Sequence, residues 1–214
     1  MVMAERIDYQ IEKYRFTELS ESPRLARQWA DVLGECRQEK LGSEARLRFA
    51  LLNVDYVTSF ELPFRLLLLR TPQYIAHIRN LLALNQKTVT INGRKRGRVY
   101  SIKADLSTVP DEFRYRFSSR IRRVSAGGIT TNPFPEIARQ TKVPRERLRL
   151  ALDAGLEVNA LDGLFWLGSQ RIAADIAVLR QTGLKIVTTD VAVCDSLTGT
   201  TRVISAYRAA GVAE

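Results

Sequence analysis

The feature that most constrains this chain is the order of elements predicted by residues 159–208. Asn159 is a good helix-capping residue, and an acid, Asp162, stands three positions later, a spacing that satisfies free amide groups at a helix start. Ser169 can cap a second helix, and Gly183 ends it, since glycine readily takes the left-handed conformation that follows a helix. Two helices in close succession are therefore expected.

The second of these helices has an apolar stripe, and a β-hairpin is predicted to follow it. The residues of the stripe recur at helical spacing: Ile172, Ala173, Ile176 and Leu179. Residues 185–193 and 201–208 are rich in β-branched side chains, and residues 196–199 between them favour a turn. Such a hairpin, or wing, would come directly after the helix. The helix 169–182 is therefore our candidate for reading DNA bases.

Several short sequences in this region resemble a small winged-helix family that occurs widely in phage and prophage genomes, in proteins described as helix-turn-helix proteins. The resemblance covers about residues 148–208. It is carried by Asn-Ala-Leu-Asp at 159–162, Gly-Ser-Gln-Arg-Ile-Ala at 168–173, Leu-Arg-Gln-Thr-Gly at 179–183, Arg202-Val203 and Tyr207-Arg208. The resemblance implies binding to DNA.

An internal comparison predicts a degenerate second copy of this unit in the N-terminal half. Residues 47–51 match residues 148–152 at four of five positions, and residues 73–76 match residues 170–173 at three of four. The matches occur in the same order, which is typical of a tandem duplication. The first copy would contain helices at 44–52, 59–69 and 72–84, and strands at 87–91 and 98–104.

The turn of that first hairpin combines a strong structural signal with a high charge. Asn92-Gly93 is a preferred pair for a two-residue hairpin turn. Four cations follow it within five residues: Arg94, Lys95, Arg96 and Arg98. At a wing tip these side chains would contact phosphate groups or a narrow minor groove.

Together these patterns predict a mainly α-helical protein with small β-hairpins, of the α+β class, built from tandem winged helix-turn-helix domains. A chain of 214 residues with 45% hydrophobic residues has room for two such modules. The predicted segments are an N-terminal helical extension at 1–40, a first module at 41–106, a connector at 107–133 and a second module at 134–214.

The connector is predicted to form a basic amphipathic helix. Its apolar residues recur at spacings of about four and three positions: Phe113, Phe117, Ile121 and Val124. Arginines surround this apolar stripe. Two interpretations stay open, because the helix either packs this stripe on a module or lies along the DNA backbone. In the second case Arg120, Arg122 and Arg123 would contact phosphate groups.

Two other segments allow alternatives. Residues 135–155 also fit a helix-turn-helix, in which Arg145, Glu146 and Arg149 would face DNA. We prefer 169–182 as the reading helix because only that helix is followed directly by a hairpin.

Near the N-terminus, Ser22 caps a predicted helix with an apolar stripe of Leu25, Trp29, Val32 and Leu33. That stripe packs either within the chain or in a homodimer.

Charge and composition limit the classes of binding partner that the chain is expected to have. Thirty-three Lys and Arg against 23 Asp and Glu give a formal net charge of +10, which favours a polyanion. The chain has neither the aromatic strand motif of an RNA-recognition fold nor a Gly-x-x-Gly clamp, so we favour duplex DNA. It also has no apolar run long enough for a membrane span and no recognisable signal peptide. We therefore expect a cytoplasmic protein without a membrane partner.

Catalysis has little support in the sequence. His77 is the single histidine, and no acid at helical spacing would orient it as a general base. Cys36 and Cys194 are too few for a structural zinc site, and no phosphate-binding loop or nucleophile elbow occurs. We expect no enzymatic activity, no catalytic residue, no metal and no cofactor.

The function that these patterns favour is sequence-specific binding to double-stranded DNA by a phage or mobile-element regulator of transcription. The alternative with similar chemistry is a plasmid or phage replication initiator. The alternative of another class is a phage protein-interaction module that acts on a host complex. On helix 169–182 we expect base contacts from Gln170 and Arg171, and the helix at 72–84 would read bases in the same way through Gln73, Tyr74, His77 and Arg79. The other residues expected to contact DNA, besides the cations named above, are Ser169, Ala174 and Arg202.

Overall fold

The computed structural model describes residues 5–11, 15–19, 21–118, 121–125, 128–129 and 133–211. The helices of these residues are α1 (Pro23–Gln38), α2 (Ser43–Asn53), α3 (Leu62–Arg65), α4 (Thr71–Arg79), α5 (Phe134–Gln140), α6 (Pro144–Asp153), α7 (Ala160–Asp162) and α8 (Ile172–Gln181), and a π-helical turn, Gly163–Leu167, continues α7. None of these helices is long and apolar enough to cross a membrane.

The strands of the described residues are short at the sheet edges and long in the two hairpins. They are β1 (Glu5–Ile11), β2 (Arg15–Glu18), β3 (Val57–Thr58), β4 (Asn85–Ile91), β5 (Arg94–Ser101), β6 (Glu112–Phe113), β7 (Tyr115–Ser118), β8 (Ile121–Ser125), β9 (Gly128–Ile129), β10 (Val158–Asn159), β11 (Ile186–Cys194) and β12 (Thr201–Ala209). β4 and β5 form the first hairpin, and β11 and β12 form the second.

The described residues divide into two compact units, each named here after its main sheet. The four-stranded unit contains residues 15–19, 21–118 and 195–200. The six-stranded unit contains residues 5–11, 121–125, 128–129, 133–194 and 201–211. The units are interleaved along the chain, whereas the four segments predicted from the sequence follow one another.

Helix α1 shows how the four-stranded unit buries its apolar side chains. Ser22 accepts a hydrogen bond from the backbone amide of Leu25, and Pro23 takes the first helical position, so the predicted cap is confirmed. Leu25, Trp29 and Val32 of the predicted stripe are buried within this unit. These three side chains are therefore not available for the homodimer contact considered above.

The sheet of the four-stranded unit has the order β3-β5-β4-β6. β5 pairs antiparallel with both β3 and β4, and β4 also pairs in parallel with β6. Both strands of the first hairpin therefore have a second neighbour. The buried face of this sheet includes Val89, Ile91, Val99 and Phe113. A separate antiparallel pair, β2 and β7, belongs to the same unit.

The sheet of the six-stranded unit has the order β10-β12-β11-β1-β8-β9. β11 pairs antiparallel with β12 and in parallel with β1, and β1 pairs antiparallel with β8. Helices α5, α6 and α8 contribute most of one core cluster of this unit, including Phe134, Leu148, Leu152 and Ile176. The second hairpin is thus an interior part of a mixed sheet.

The fold class predicted from the sequence is wrong in its main feature. In tandem winged helix-turn-helix domains each hairpin would project from a group of helices, but here both hairpins are central strands of mixed sheets. The cause is parallel pairing that the sequence pattern does not reveal, of β1 with β11 and of β6 with β4. The broader α+β class fits, because helices and sheets occur in both units.

The amphipathic helix predicted at 107–133 is also wrong. The described residues of this segment contain β6, β7, β8 and β9 instead. Phe113 and Tyr115 are buried while Glu112, Arg114 and Arg116 are exposed, so side chains alternate with the period of a strand. Aromatic side chains also fit a strand well, and this preference outweighs the spacing of about four residues that favoured a helix.

The two units nevertheless share an order of elements. α2, β3, α3 and α4 precede the first hairpin, and α6, β10, α7 and α8 precede the second. In both units the short strand pairs antiparallel with the second strand of the hairpin. The matching sequences 47–51 and 148–152 fall on the corresponding helices α2 and α6. A duplication remains a prediction from these matches.

Candidate nucleic-acid interface

The turn predicted at Asn92-Gly93 is confirmed, and the cations after it lie on a strand. Asn92 and Gly93 have φ angles of 49° and 76°, the left-handed conformation that a tight hairpin turn requires. β5 begins directly afterwards at Arg94, so the cations extend along the strand and not only at the tip. The side chain of Asn92 accepts a hydrogen bond of 2.8 Å from the Tyr115 amide, which holds the turn against β7.

The cations of β5 are exposed and uncompensated. Arg94, Lys95, Arg96 and Arg98 all have exposed side chains, and none of them pairs with a carboxylate of the described residues. On the neighbouring strand, by contrast, Lys87 Nζ lies 2.8 Å from Asp111 Oδ1. Like charges held close together raise the local positive potential and favour an anionic ligand.

Helix α4 directs the residues predicted to read bases away from the core. Its buried face has helical spacing and consists of Thr71, Ile75 and Ile78. Gln73, His77 and Arg79 are exposed, and Tyr74 is half-buried. His77 Nδ1 lies 2.9 Å from Glu44 Oε1 of α2. The spacing of acids along α4 itself could not reveal this partner, because it comes from another helix.

Helix α4 and the first hairpin meet at Gln86. Its Oε1 atom accepts hydrogen bonds from Arg79 Nη2 at 2.7 Å and from Arg98 Nη1 at 3.3 Å. Ser59 fixes the backbone of Arg98, since its amide donates to the Arg98 carbonyl at 2.8 Å and its Oγ accepts from the Arg98 amide at 3.2 Å. The structure thus joins residues from the predicted reading helix and the predicted basic wing. The sequence does not mark Gln86 as a site residue, because a single glutamine on a strand forms no recognisable motif.

The second predicted reading helix begins later than expected. α8 starts at Ile172, whereas the sequence predicts a start at Ser169. Ser169 is 6% exposed, and its hydroxyl group donates to Asp175 Oδ2 at 2.7 Å, so it stabilises the turn before the helix and is not free to contact DNA. The other residues expected to contact DNA here are exposed: Gln170, Arg171 and Ala174.

Three of the four arginines of α5 and α6 are paired with nearby acids, and the fourth, Arg147, is half-buried and donates to the Thr141 carbonyl group. These two helices, joined by a turn at 141–143, form the elements of the alternative helix-turn-helix at 135–155. Their ion pairs are Arg139–Glu136 at 2.7 Å, Arg145–Asp175 at 3.1 Å and Arg149–Asp153 at 3.4 Å. An anionic ligand would have to compete with these carboxylates, so this surface is a weaker candidate than β5.

The remaining arginines expected to contact DNA are in different environments. Arg120 lies outside the described residues. Arg122 is exposed on β8, and Arg202 is half-buried on β12. Arg123 Nε lies 3.5 Å from Asp162 Oδ1, and the side chain of Arg123 is 12% exposed. The charge of Arg123 is therefore paired with a buried carboxylate and is not free for a phosphate group.

A buried polar cluster surrounds that carboxylate in the six-stranded unit. The capping box predicted for Asn159 and Asp162 is confirmed, and Asp162 Oδ1 also accepts a hydrogen bond of 2.9 Å from the Tyr9 hydroxyl group. Burial raises the pKa of Asp162 to about 6, although the charge of Arg123 opposes this shift. Burial likewise raises the pKa of Tyr9. The sequence revealed the cap, but it did not reveal Tyr9 or Arg123.

The turn of the second hairpin is partly buried, contrary to the predicted wing: Asp195, Leu197 and Thr198 are buried, whereas Ser196, Gly199 and Thr200 are exposed. The turn lies at residues 195–200, within the four-stranded unit. Asp195 is 2% exposed, and its Oδ2 lies 2.9 Å from Arg46 Nη1. Arg46 also donates to Thr198 Oγ1 at 3.2 Å. A turn whose charged group is enclosed in this way is not a wing tip that contacts DNA.

Residues from the predicted reading helix and the predicted basic wing meet where Arg79 and Arg98 contact Gln86, and we call the exposed surface of these two elements the α4–β5 face. It consists of the exposed side chains of Gln73, His77, Arg79, Arg94, Lys95, Arg96 and Arg98. Comparison of the chain with protein-family models, curated proteins and solved structures gave no match. The resemblance to a phage winged-helix family thus stays a prediction from the sequence.

Proposed function

We propose that this protein binds double-stranded DNA through the α4–β5 face. The observation that carries the proposal is the row of exposed cations on β5, which have no ion-pairing carboxylate among the described residues. The formal net charge of +10 adds a long-range attraction for a polyanion. We place this activity in the cytoplasm, and regulation of transcription is the role that we favour.

The proposed mechanism assigns different tasks to the strand and to the helix. The cations of β5 neutralise backbone phosphates and release condensed counterions, which supplies affinity for any duplex sequence. Gln73 and His77 on α4 present polar groups that suit the edges of bases. Phosphate contacts position the protein, and base contacts supply sequence preference.

The proposal is tested by the salt dependence of binding. A fluorescein-labelled 20-base-pair duplex of random sequence is titrated with protein at several KCl concentrations, and binding is followed by fluorescence anisotropy. We expect log K to fall linearly with log[KCl], with a slope of about −3 or steeper, because several phosphates are neutralised. A Kd that does not change with salt, or no binding at low salt, would contradict the proposal.

A triple variant locates the interface. Replacing Arg94, Lys95 and Arg96 by alanine should weaken binding about 100-fold at 0.1 M KCl and make the slope shallower by about 3. The matched control replaces the paired cations Arg139, Arg145 and Arg149 by alanine and should change Kd less than about threefold. Equal losses in the two triple variants would mean that only net charge matters. Selection of bound sites from random duplexes then measures sequence preference.

A further inference from the structure

Gln86 holds two guanidinium groups next to one another on the α4–β5 face. Its single amide oxygen accepts from Arg79 Nη2 at 2.7 Å and from Arg98 Nη1 at 3.3 Å. The hairpin register places Arg98 opposite Thr88, and Gln86 lies two residues further along the same side of β4. Both arginine side chains are exposed. The two positive charges are thus fixed near one point that a ligand can reach.

The chemistry of the acceptor determines what this arrangement can bind. A carboxylate at position 86 would orient the two arginines and also neutralise them, whereas an amide oxygen orients them and leaves their charge intact. Among the described residues, neither Arg79 nor Arg98 has a carboxylate partner. Each guanidinium group has five N–H donors and gives one of them to Gln86, so donors remain for a ligand with several oxygens.

We propose that Arg79 and Arg98 form a phosphate clamp, with Gln86 as its positioning residue, and that the clamp binds one backbone phosphate group of the duplex. This inference rests on the proposed function and assigns Arg79 to the backbone, whereas the sequence analysis assigned it to bases. Planar guanidinium groups match phosphate oxygens with paired hydrogen bonds. Because Gln86 already restricts both side chains, binding costs less conformational entropy.

The substitution Gln86→Glu tests the clamp, because it preserves the size of the side chain and supplies the missing carboxylate. On the random-sequence 20-base-pair duplex at 0.1 M KCl we expect a loss of affinity of about tenfold and a salt slope shallower by about 1. The matched control is Thr108→Glu, which adds the same charge at an exposed turn of the same unit. It should change Kd less than about threefold.

A purely structural role for Gln86 makes a different prediction. If Gln86 only fastened α4 to the hairpin, Gln86→Glu would strengthen that contact, preserve Tm and leave DNA affinity unchanged, and this result would overturn the clamp. We expect an undiminished Tm together with the tenfold loss.

A second variant, Arg79→Gln, distinguishes backbone contact from base contact. It should weaken binding by a similar factor on every duplex sequence; a loss confined to one preferred sequence would overturn the assignment of Arg79 to phosphate.

The failure of the clamp and the failure of the proposed function give different results in these experiments. Loss of binding in the Arg94/Lys95/Arg96 triple variant, with unchanged binding in Gln86→Glu, removes the clamp and preserves the proposed function. A wild-type protein that binds no duplex removes both.

Discussion

The two hairpins of this chain differ most in the surroundings of their turns. The turn of β4–β5 is exposed and leads into a row of cations without described carboxylate partners. The turn of β11–β12 is partly buried, and the charge of its buried Asp195 is matched by that of Arg46. Both turns have sequences typical of surface turns, so composition alone does not decide which turn a ligand can reach. The availability of a partner side chain elsewhere in the chain decides it.

The same contrast applies to the basic residues in general. Helices α5 and α6 together contain four arginines and β5 contains three, yet Arg139, Arg145 and Arg149 each have a carboxylate within 3.4 Å. A cation count therefore overestimates the surface that attracts DNA. A more useful quantity is the number of adjacent exposed cations that have no carboxylate partner among the described residues, and by this measure β5, with Arg94, Lys95, Arg96 and Arg98, exceeds α5 and α6.

Among variants of the two hairpin turns, the largest loss of stability is expected from Arg46→Met. The substitution leaves Asp195 buried without its cation and removes donors to Thr198 Oγ1 and to the carbonyl groups of Leu41 and Leu66. Breaking a buried ion pair from one side should lower the free energy of unfolding by about 3–5 kcal/mol. Urea denaturation followed by circular dichroism measures this change.

The control for Arg46→Met is Arg48→Ala, two residues along the same helix. Arg48 is exposed, so its replacement should change the free energy of unfolding by no more than about 0.5 kcal/mol. Similar costs for the two variants would show that the partly buried turn of the second hairpin is not held by its ion pair.

Features of the fold that depend on neighbouring residues were predictable. The Ser22 cap, the Asn159 capping box and the Asn92-Gly93 turn all involve residues a few positions apart, and the structure confirms each of them. The pairing of β1 with β11 was not predictable in this way, because Glu5 pairs with Val191 across almost the whole chain. One such pairing is enough to convert an expected free wing into an interior strand.

The candidate site shows the same division. Arg94 and its neighbours could be named because a hairpin signal and a charge cluster coincide in the sequence. Ser169 and Arg123 were assigned to DNA because their local patterns suit an exposed surface, but Ser169 donates to Asp175, six residues later, and a tertiary contact pairs Arg123 with Asp162. Gln86 shows its role only through the two arginines it contacts.

The second hairpin should also respond to pH through a group that the first hairpin lacks. β10 and β1 flank this hairpin, and their residues Asn159 and Tyr9 meet at Asp162, whose pKa burial raises to about 6. Because the folded-state pKa is raised, protonation favours the folded chain. This stabilising contribution is complete below about pH 4 and is lost as pH rises through about 6; it amounts to about 3 kcal/mol.

The variant Asp162→Asn isolates this contribution. The difference in free energy of unfolding between the wild type and Asp162→Asn should change by about 2–3 kcal/mol between pH 4 and pH 7, with the wild type losing stability relative to the variant. The exposed Asp190→Asn on β11 is the matched control. Parallel pH profiles for wild type and Asp162→Asn, from urea denaturation at each pH, would contradict the assignment of the pKa to this buried site.

The smallest effects on stability are expected from replacing one glycine in each hairpin, and the two hairpins require glycine for different reasons. A methyl group at Gly97 would lie 2.3 Å from Ile91 Cδ1 and 3.2 Å from the Val89 carbonyl oxygen, and Ile91 is buried, so Gly97→Ala should cost about 1–3 kcal/mol. At Gly199 the methyl group would meet nothing within 4 Å, but φ is +69°, so Gly199→Ala should cost about 1 kcal/mol through the backbone.

A double-mutant cycle with Ile91→Ala distinguishes these causes. Ile91→Ala deletes the clashing atoms, so in that background the cost of Gly97→Ala should fall below about 1 kcal/mol, whereas the cost of Gly199→Ala should not change. A cost of Gly97→Ala that is equal in both backgrounds would show that close packing inside the first hairpin is not what requires glycine there. The expected coupling would instead show that the buried side of β5 packs so closely against Ile91 that position 97 has no space for a side chain.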